Sequence, residues 1–446
     1  MAPSPFDGRV AEMTVRTPVA LPTPAVRPVP SALPAPPAGP HHDAGSTGLE
    51  RGRAPLAPEA PAALPALTAQ AGQAGPAAPI TAPITAGGAV PDRLTDRHGR
   101  TVRDLRLSIT DRCNLRCTYC MPAAGLEWLP TPSLLTTAEI TRLARVAVER
   151  LGVERIRLTG GEPLLRRDLE EIVAAVADLR TRRGTKPDIG LTTNGLGLDR
   201  RAVGLREAGL DRVNVSIDTL DPAEYARVTR RDRLDGVLRG VAGAQAAGLS
   251  PIKINAVAMP DGLAERAPRL LGECLRRGWS LRFIEHMPLG PRESWRAEDV
   301  VGAQQVLEVL AAAGFELHAR GRPDHRPAAV WEVAAGANRQ GPYPAGTVGI
   351  IASVTAPFCS DCDRTRLTAD GRVMTCLFSA QEADLRGPMR TGASDDELIR
   401  VWAGATWRKP LAHGTDTPGR ATGGSDGPDR LGGFVRPART MSAIGG

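Results

Sequence analysis

The sequence predicts an α/β chain: a parallel sheet of six βα units, preceded by a disordered leader and followed by a small carboxy-terminal α+β region. Three observations lead there. Strand-like and helix-like stretches alternate from about residue 92 onward. The strand-like stretches carry apolar residues at every second position. The pattern then changes near residue 330, and both low-complexity stretches lie outside the alternation.

Residues 1–91 are rich in Pro and Ala without apolar periodicity, and so read as a disordered leader. Strands are expected at 105–110, 154–159, 188–193, 212–217, 252–258 and 281–287. The helix after the first strand opens with Thr136 and Glu139, a capping-box pair, and is expected to stop at Gly152. Another starts near Asp168, with Glu170 and Glu171 where the helix dipole favours negative charge. Such units imply right-handed crossovers and a sheet that is open or curled into part of a barrel. Further on, 348–355 reads as a strand. Residues 366–378 read as a hairpin turning at Asp370-Gly371, a dipeptide suited to a type I′ turn. Residues 414–433 read as a flexible insert. The expected division is therefore a leader at 1–91, the βα sheet at 92–330 and a carboxy-terminal region at 331–446.

Strands of a parallel sheet are normally apolar on both faces. Here they alternate. Leu105, Leu107 and Ile109 oppose Arg106, Ser108 and Thr110; Ile156 and Leu158 oppose Arg155, Arg157 and Thr159. Val213, Val215 and Ile217 oppose Asn214, Ser216 and Asp218; Ile252, Ile254 and Ala256 oppose Lys253, Asn255 and Val257. With a period of two, the apolar set must meet the helices, and the polar set must line a space that holds a polar ligand. An antiparallel sheet with one wet face would alternate likewise, but the intervening helices weigh against it.

The formal charge is +7, from 56 basic and 49 acidic side chains, and the basic residues are dispersed rather than massed. A phosphorylated small molecule fits this as well as a nucleic acid does. Lysine occurs only at 186, 253 and 409. Lys186 and Lys409 precede prolines in loop-like surroundings, and Lys253 alone lies in a strand. No export signal or membrane-spanning stretch is evident, so the expected location is the cytoplasm, with no membrane and no nucleic acid as partner.

Six of the seven cysteines form two sets of three. Cys113, Cys117 and Cys120 follow the first strand; Cys359, Cys362 and Cys376 lie near the carboxy terminus. A closed zinc site wants four ligands. Three thiolates on an iron–sulfur cube leave one iron open to a substrate, so the pattern points to two such cubes. For the first set the nearest histidine, His98, lies before the strand. The second set alone could be half a zinc ribbon, but the fourth cysteine is missing. Arg364 and Arg366 follow at once, and on a strand both face one way, as if to hold an anion. Cys274, on an expected helix, reads as an ordinary buried thiol. His286 is given no role.

The first set, with Thr159-Gly160-Gly161-Glu162-Pro163 ending the second strand, resembles the radical S-adenosylmethionine superfamily. Residues 104–113 (DLRLSITDRC), 192–195 (TTNG), 253–255 (KIN), 282–287 (RFIEHM), the second cysteine set and 442–446 (SAIGG) together resemble the GTP 3′,8-cyclase family of molybdenum-cofactor biosynthesis. The resemblance covers residues 92–446 apart from the insert. It implies a partial (βα)6 TIM-like barrel and two 4Fe–4S clusters, one on Cys113, Cys117 and Cys120, the other on Cys359, Cys362 and Cys376.

The resemblance further implies S-adenosylmethionine at Tyr119, Gly161, Ser216 and Met287, with Glu162 opposing its amino group. GTP would be held by Arg106, Arg157, Thr192, Lys253, Arg364 and Arg366, its base on the second cluster. A 5′-deoxyadenosyl radical would take hydrogen from C3′, and the ribose carbon would attack C8 of guanine. Also implied are a reduced flavodoxin- or ferredoxin-type donor, a homodimer, and delivery of product to cyclic pyranopterin monophosphate synthase. The terminal Gly445-Gly446 would thread the active site. Two rivals are a radical enzyme acting on a peptide or RNA and an electron-transfer iron–sulfur protein. The first would want more carboxy-terminal cysteines or, for RNA, a more aromatic surface than 3% allows; the second would want fully ligated clusters.

Overall fold

The alternation expected from the sequence runs through the computed structural model, which describes residues 88–323, 325–379, 381–413, 430–431, 434–435 and 439–445. The expected leader falls outside the described residues apart from 88–91, as does most of the 414–433 insert and Gly446. The units in order are β1 (Asp104–Ser108), α1 (Thr137–Arg145), β2 (Arg155–Thr159), α2 (Leu169–Ala177), β3 (Asp188–Thr193), α3 (Leu198–Glu207) and β4 (Arg212–Ser216). Next come α4 (Pro222–Thr229), α5 (Leu234–Ala246), β5 (Ile252–Ala258), α6 (Leu263–Arg277), β6 (Ser280–Glu285) and α7 (Ala303–Ala312). Strands β1 to β6 pair in sequence order, all parallel.

The carboxy-terminal elements are β7 (Leu317–Gly321), β8 (Ala329–Val333), β9 (Gly336–Asn338), β10 (Gly341–Tyr343), β11 (Gly346–Ile351), β12 (Arg364–Leu367), β13 (Arg372–Met374) and β14 (Ala383–Asp384). Also described are helices α8 (Arg386–Arg390), α9 (Asp395–Trp407) and α10 (Met441–Ile444) and an antiparallel pair of short strands, β15 (Arg430–Leu431) and β16 (Phe434–Val435). Strand β11 pairs with β6, and β12 pairs with β1, both parallel. The later segment thus extends the six-stranded sheet at both of its edges. The connection from β11 to β12 passes from one edge to the other and carries Cys359 and Cys362. The twelve-stranded sheet runs from β14 to β7 without closing.

Local signals explain the elements. Thr136 Oγ1 accepts from the Glu139 amide at 3.2 Å while Glu139 Oε2 accepts from the Thr136 amide at 2.8 Å, closing the capping box of α1. Helix α1 runs on through a wider turn at Val146–Arg150 before Gly152, which adopts φ +77°. Leu105, Leu107, Ile156, Leu158, Val213, Val215 and Ile254 are fully buried. Each such side chain contributes about 1.5–3 kcal/mol. No described helix is long and apolar enough to cross a membrane.

The β12–β13 turn differs from expectation. A type I′ turn needs φ > 0 at both central residues. Among the described residues only Gly371 of that pair has it, at +78°. The Gly371 amide instead donates to the Thr368 carbonyl at 2.9 Å, and Thr368 pairs with Arg372. Asp370 is turned inward, accepting from Thr368 Oγ1 at 2.6 Å and from Arg439 at 2.9 Å. Its side-chain bonds favour the wider turn.

Candidate active site

The first cysteine set sits in the loop leaving β1. Arg116 shapes it from within, donating to the carbonyls of Cys113 at 2.9 Å and Leu115 at 2.8 Å. Arg230 donates to the carbonyls of Arg116 and Met121 from the α4 side. These bonds satisfy backbone groups that a loop would otherwise bury unpaired. The loop meets the end of β2 closely: the Gly161 amide donates to the Thr110 carbonyl at 2.8 Å and the Glu162 amide to that of Arg112 at 2.7 Å. A Cβ at Gly160 would lie 2.2 Å from the Thr110 oxygen, and one at Gly161 would lie 2.4 Å from the oxygens of Asp111 and Arg112. Gly160 and Gly161 are thus required first by the chain's own loop.

Two buried carboxylates lie at this end. Glu162 is fully buried; it accepts from Thr193 Oγ1 and the Asn194 amide, both at 2.7 Å, and from the Leu164 amide at 2.9 Å. Burial pushes its pKa up to about 7. Asp218 accepts from Tyr119 Oη and the Val257 amide, both at 2.8 Å. Burial, then the Asp218 charge, pushes the Cys117 thiol well up, and burial pushes Cys120 up to about 12. His286 packs edge-on to Tyr119 with ring centroids 6.3 Å apart, and burial lowers its pKa to about 4.

Deeper in, strand register builds a row of cations. Arg366 of β12 pairs with Arg106 of β1, which pairs with Arg157 of β2; beyond Gly190 of β3 comes Arg212 of β4. Gly190 leaves room in this row, since a Cβ there would lie 2.2 Å from Arg212 Nη1. Lys253 and Arg282 follow on β5 and β6. Burial and the neighbouring arginines lower Lys253 to about 7, Arg282 to about 10 and Arg366 to about 9, and push Arg157 well down. At Asp104, burial alone would raise the pKa, but Arg106, Arg364, Arg157 and Arg155 hold it far below the usual carboxylate range. Arg157 Nε and Nη1, Thr192 Oγ1, Asn214 Oδ1 and Asn255 Oδ1 are buried without hydrogen-bond partners. Buried polar atoms are normally satisfied, so this row fits a polar, anionic guest.

The second cysteine set closes the other side. Arg364 and Arg366 share a face of β12, as expected. Arg366 donates to the Gly445 carbonyl at 2.5 Å. Gly445 has φ +79°, and a Cβ there would lie 2.3 Å from Thr159 Oγ1. The described end of the chain therefore reaches β1 and β2, where only glycine fits.

The residues expected to hold a cluster, S-adenosylmethionine or GTP all line one cavity of about 350 Å³: both cysteine sets, Tyr119, Gly161, Ser216, Met287, Arg106, Arg157, Thr192, Lys253, Arg364 and Arg366. The sequence reading missed Arg212 and Arg282, although the period-two pattern places both on the polar face. It also missed Lys409 and His413, which reach the second cysteine set from far along the chain.

A family model described as Radical SAM superfamily matches residues 107–268, and one described as Molybdenum Cofactor Synthesis C matches residues 279–415. The chain is 54% identical over 353 residues to GTP 3′,8-cyclase of Corynebacterium glutamicum, spanning 79% of this chain and 89% of that one. It is 52% identical over 354 residues to GTP 3′,8-cyclase of Mycolicibacterium smegmatis, spanning 79% and 92%. It is 51% identical over 358 residues to GTP 3′,8-cyclase 2 of Mycobacterium tuberculosis, again spanning 79% and 92%. By descent across most of its length, the chain belongs to the GTP 3′,8-cyclase family of radical S-adenosylmethionine enzymes.

Proposed function

We propose that the two cysteine sets carry two 4Fe–4S clusters with different guests, S-adenosylmethionine at Cys113, Cys117 and Cys120, and GTP at Cys359, Cys362 and Cys376. The activity in which they act is the family's, a lyase reaction: radical cyclisation of GTP to (8S)-3′,8-cyclo-7,8-dihydroguanosine 5′-triphosphate, the first step of molybdenum-cofactor biosynthesis. GTP is the substrate, and an iron–sulfur cluster with S-adenosylmethionine is the cofactor pair.

The observation carrying the reading is that both thiol triplets and a row of cations line the same cavity. When bound, the first cluster and its S-adenosylmethionine supply the reducing electron and the deoxyadenosyl group that removes a hydrogen atom. The protein's part is orientation. Tyr119, held by Asp218, and Met287 bracket the cofactor; Gly161 and Ser216 offer backbone and hydroxyl. Arg106, Arg157 and Lys253 hold the triphosphate through charge-assisted bonds. Arg364 and Arg366 bridge the phosphate row to the second cysteine set, and Thr192 Oγ1 has an open hydrogen bond to offer. Gly445 is buried against Thr159 and Ser108, with its carbonyl held by Arg366. Residues 92–330 thus supply the cofactor end and residues 331–446 the base-binding end. A reduced flavodoxin- or ferredoxin-type donor, a homodimer in the cytoplasm and hand-over to cyclic pyranopterin monophosphate synthase complete the reading.

Anaerobic reconstitution tests it. The expected loading is about eight irons per chain, four for each cube. 5′-Deoxyadenosine release should depend on GTP, and the cyclised triphosphate should appear by mass analysis. About four irons per chain, with turnover retained, would defeat the two-cluster proposal.

A further inference from the structure

We infer that Lys409 and His413, on the strap following α9, are positioning residues that set the reduction potential of the second cluster above that of the first. The inference rests on the two-cluster reading.

Lys409 is 3% exposed. Its ammonium donates to the carbonyls of Cys362 at 2.8 Å and Arg364 at 2.9 Å, and lies 3.5 Å from Cys362 Sγ. Those contacts use its three donors. Among the described residues no carboxylate lies within ion-pair distance of it. A buried ammonium without a counter-charge is costly, and a thiolate of a bound cluster supplies one. His413 Nδ1 lies 3.3 Å from Cys359 Sγ. A ligating thiolate only accepts, so the imidazole donates there. The strap is clamped rather than loose. Arg100, held by Asp96 at 2.6 Å, donates to the carbonyls of Pro410, Leu411 and Cys359. Both outer donors are thus tied to the cysteine loop they serve.

The first set has the opposite surroundings. Glu162 and Asp218 are the carboxylates whose charges bear on it; Arg116, engaged with the Cys113 and Leu115 carbonyls, opposes Glu162 at Cys113, and no lysine reaches its sulfurs among the described residues. Reduction adds negative charge to a cluster. A cation and hydrogen bonds at the sulfurs favour the reduced form, whereas carboxylates oppose it. The second cluster therefore reduces at the higher potential. That leaves the strongly reducing couple at the cofactor end.

The test is a redox titration of reconstituted protein followed by electron paramagnetic resonance, with iron counted in each sample. Wild type should show two separated reduction steps, the higher one missing from a C359A/C362A/C376A variant. In Lys409→Met the higher step should move downward while the lower stays fixed; Lys409→Arg should restore part of the shift. His413→Ala should move the same step the same way by less, which keeps the test open if Lys409→Met loses iron. Coincident steps in wild type, or an unmoved higher step in variants that keep about eight irons, overturn the inference alone. Wild type holding about four irons overturns the two-cluster reading and the inference with it.

Discussion

Cys117 and Cys362 occupy matching places in their triplets, yet their charge surroundings are opposite. Behind Cys117 stand Asp218 and the neighbouring thiols, and its own thiol is pushed well up by burial and those charges. Burial also acts to raise Cys362, but Lys409 and Arg364 more than offset it and leave the thiol below its ordinary value. Equal numbers of thiols are thus set in an acidic end and a basic end of one cavity. S-adenosylmethionine carries a sulfonium and an ammonium against one carboxylate, a net positive charge. GTP carries about four negative charges, and charge-assisted contacts to it are the strong ones. The division of charge supports the proposed assignment of guests, which the count of cysteines cannot do.

The largest way to break this comparison is Gly160→Ala. Its Cβ would meet the Thr110 oxygen at 2.2 Å, on a backbone with φ +147°. A penalty on the order of 3 kcal/mol falls on the loop of the first set alone. Reconstituted protein should lose about half its iron while GTP binding survives; equal damage at both ends would contradict separate supports. Next is Arg157→Met. Losing a buried charged donor should weaken GTP about 100-fold, or ~3 kcal/mol, and leave S-adenosylmethionine binding unchanged. The ligand-free protein should melt higher, because an unpartnered buried cation is gone. A lower Tm would show that the cation row is stabilising by itself.

Gly445→Ala should cost about 1–3 kcal/mol in docking the tail, from its positive φ alone. Faster hydrogen exchange at 441–445 checks this, and unchanged exchange would mean that the tail's seat is incidental. The smallest effect concerns Lys253. Its ammonium ionises near 10.5 when unperturbed and near 7 in the fold. Between these values the unfolded chain binds more protons, so ligand-free stability should rise with pH across that window. Bound triphosphate favours the charged form. GTP should therefore bind with proton uptake at pH 8, and affinity should fall as pH climbs above 7. Calorimetry in buffers of different ionisation enthalpy reads the uptake, and Lys253→Met should abolish it.

Much of this cavity was legible in the chain because a period of two is a local property. Arg106, Arg157 and Lys253 could be put on one face from their own strands. Arg212 and Arg282 obey the same rule within the strands expected at 212–217 and 281–287. Other features depend on elements distant in sequence. Nothing near Gly160 shows that the Thr110 carbonyl will lie against it. Lys409 precedes a proline and looks like a surface loop residue until α9 delivers it to Cys362. The turn at Thr368 followed side-chain bonds of Asp370, one of them to Arg439, that its dipeptide could not disclose.

The most direct measurement is equilibrium binding of both guests, under anaerobic conditions, to two reconstituted variants, C113A/C117A/C120A and C359A/C362A/C376A. The first should lose S-adenosylmethionine and keep GTP at reduced iron, and the second should keep S-adenosylmethionine and bind GTP much more weakly. Loss of the same guest from both variants, or retention of both guests by either, would contradict the assignment of one guest to each end.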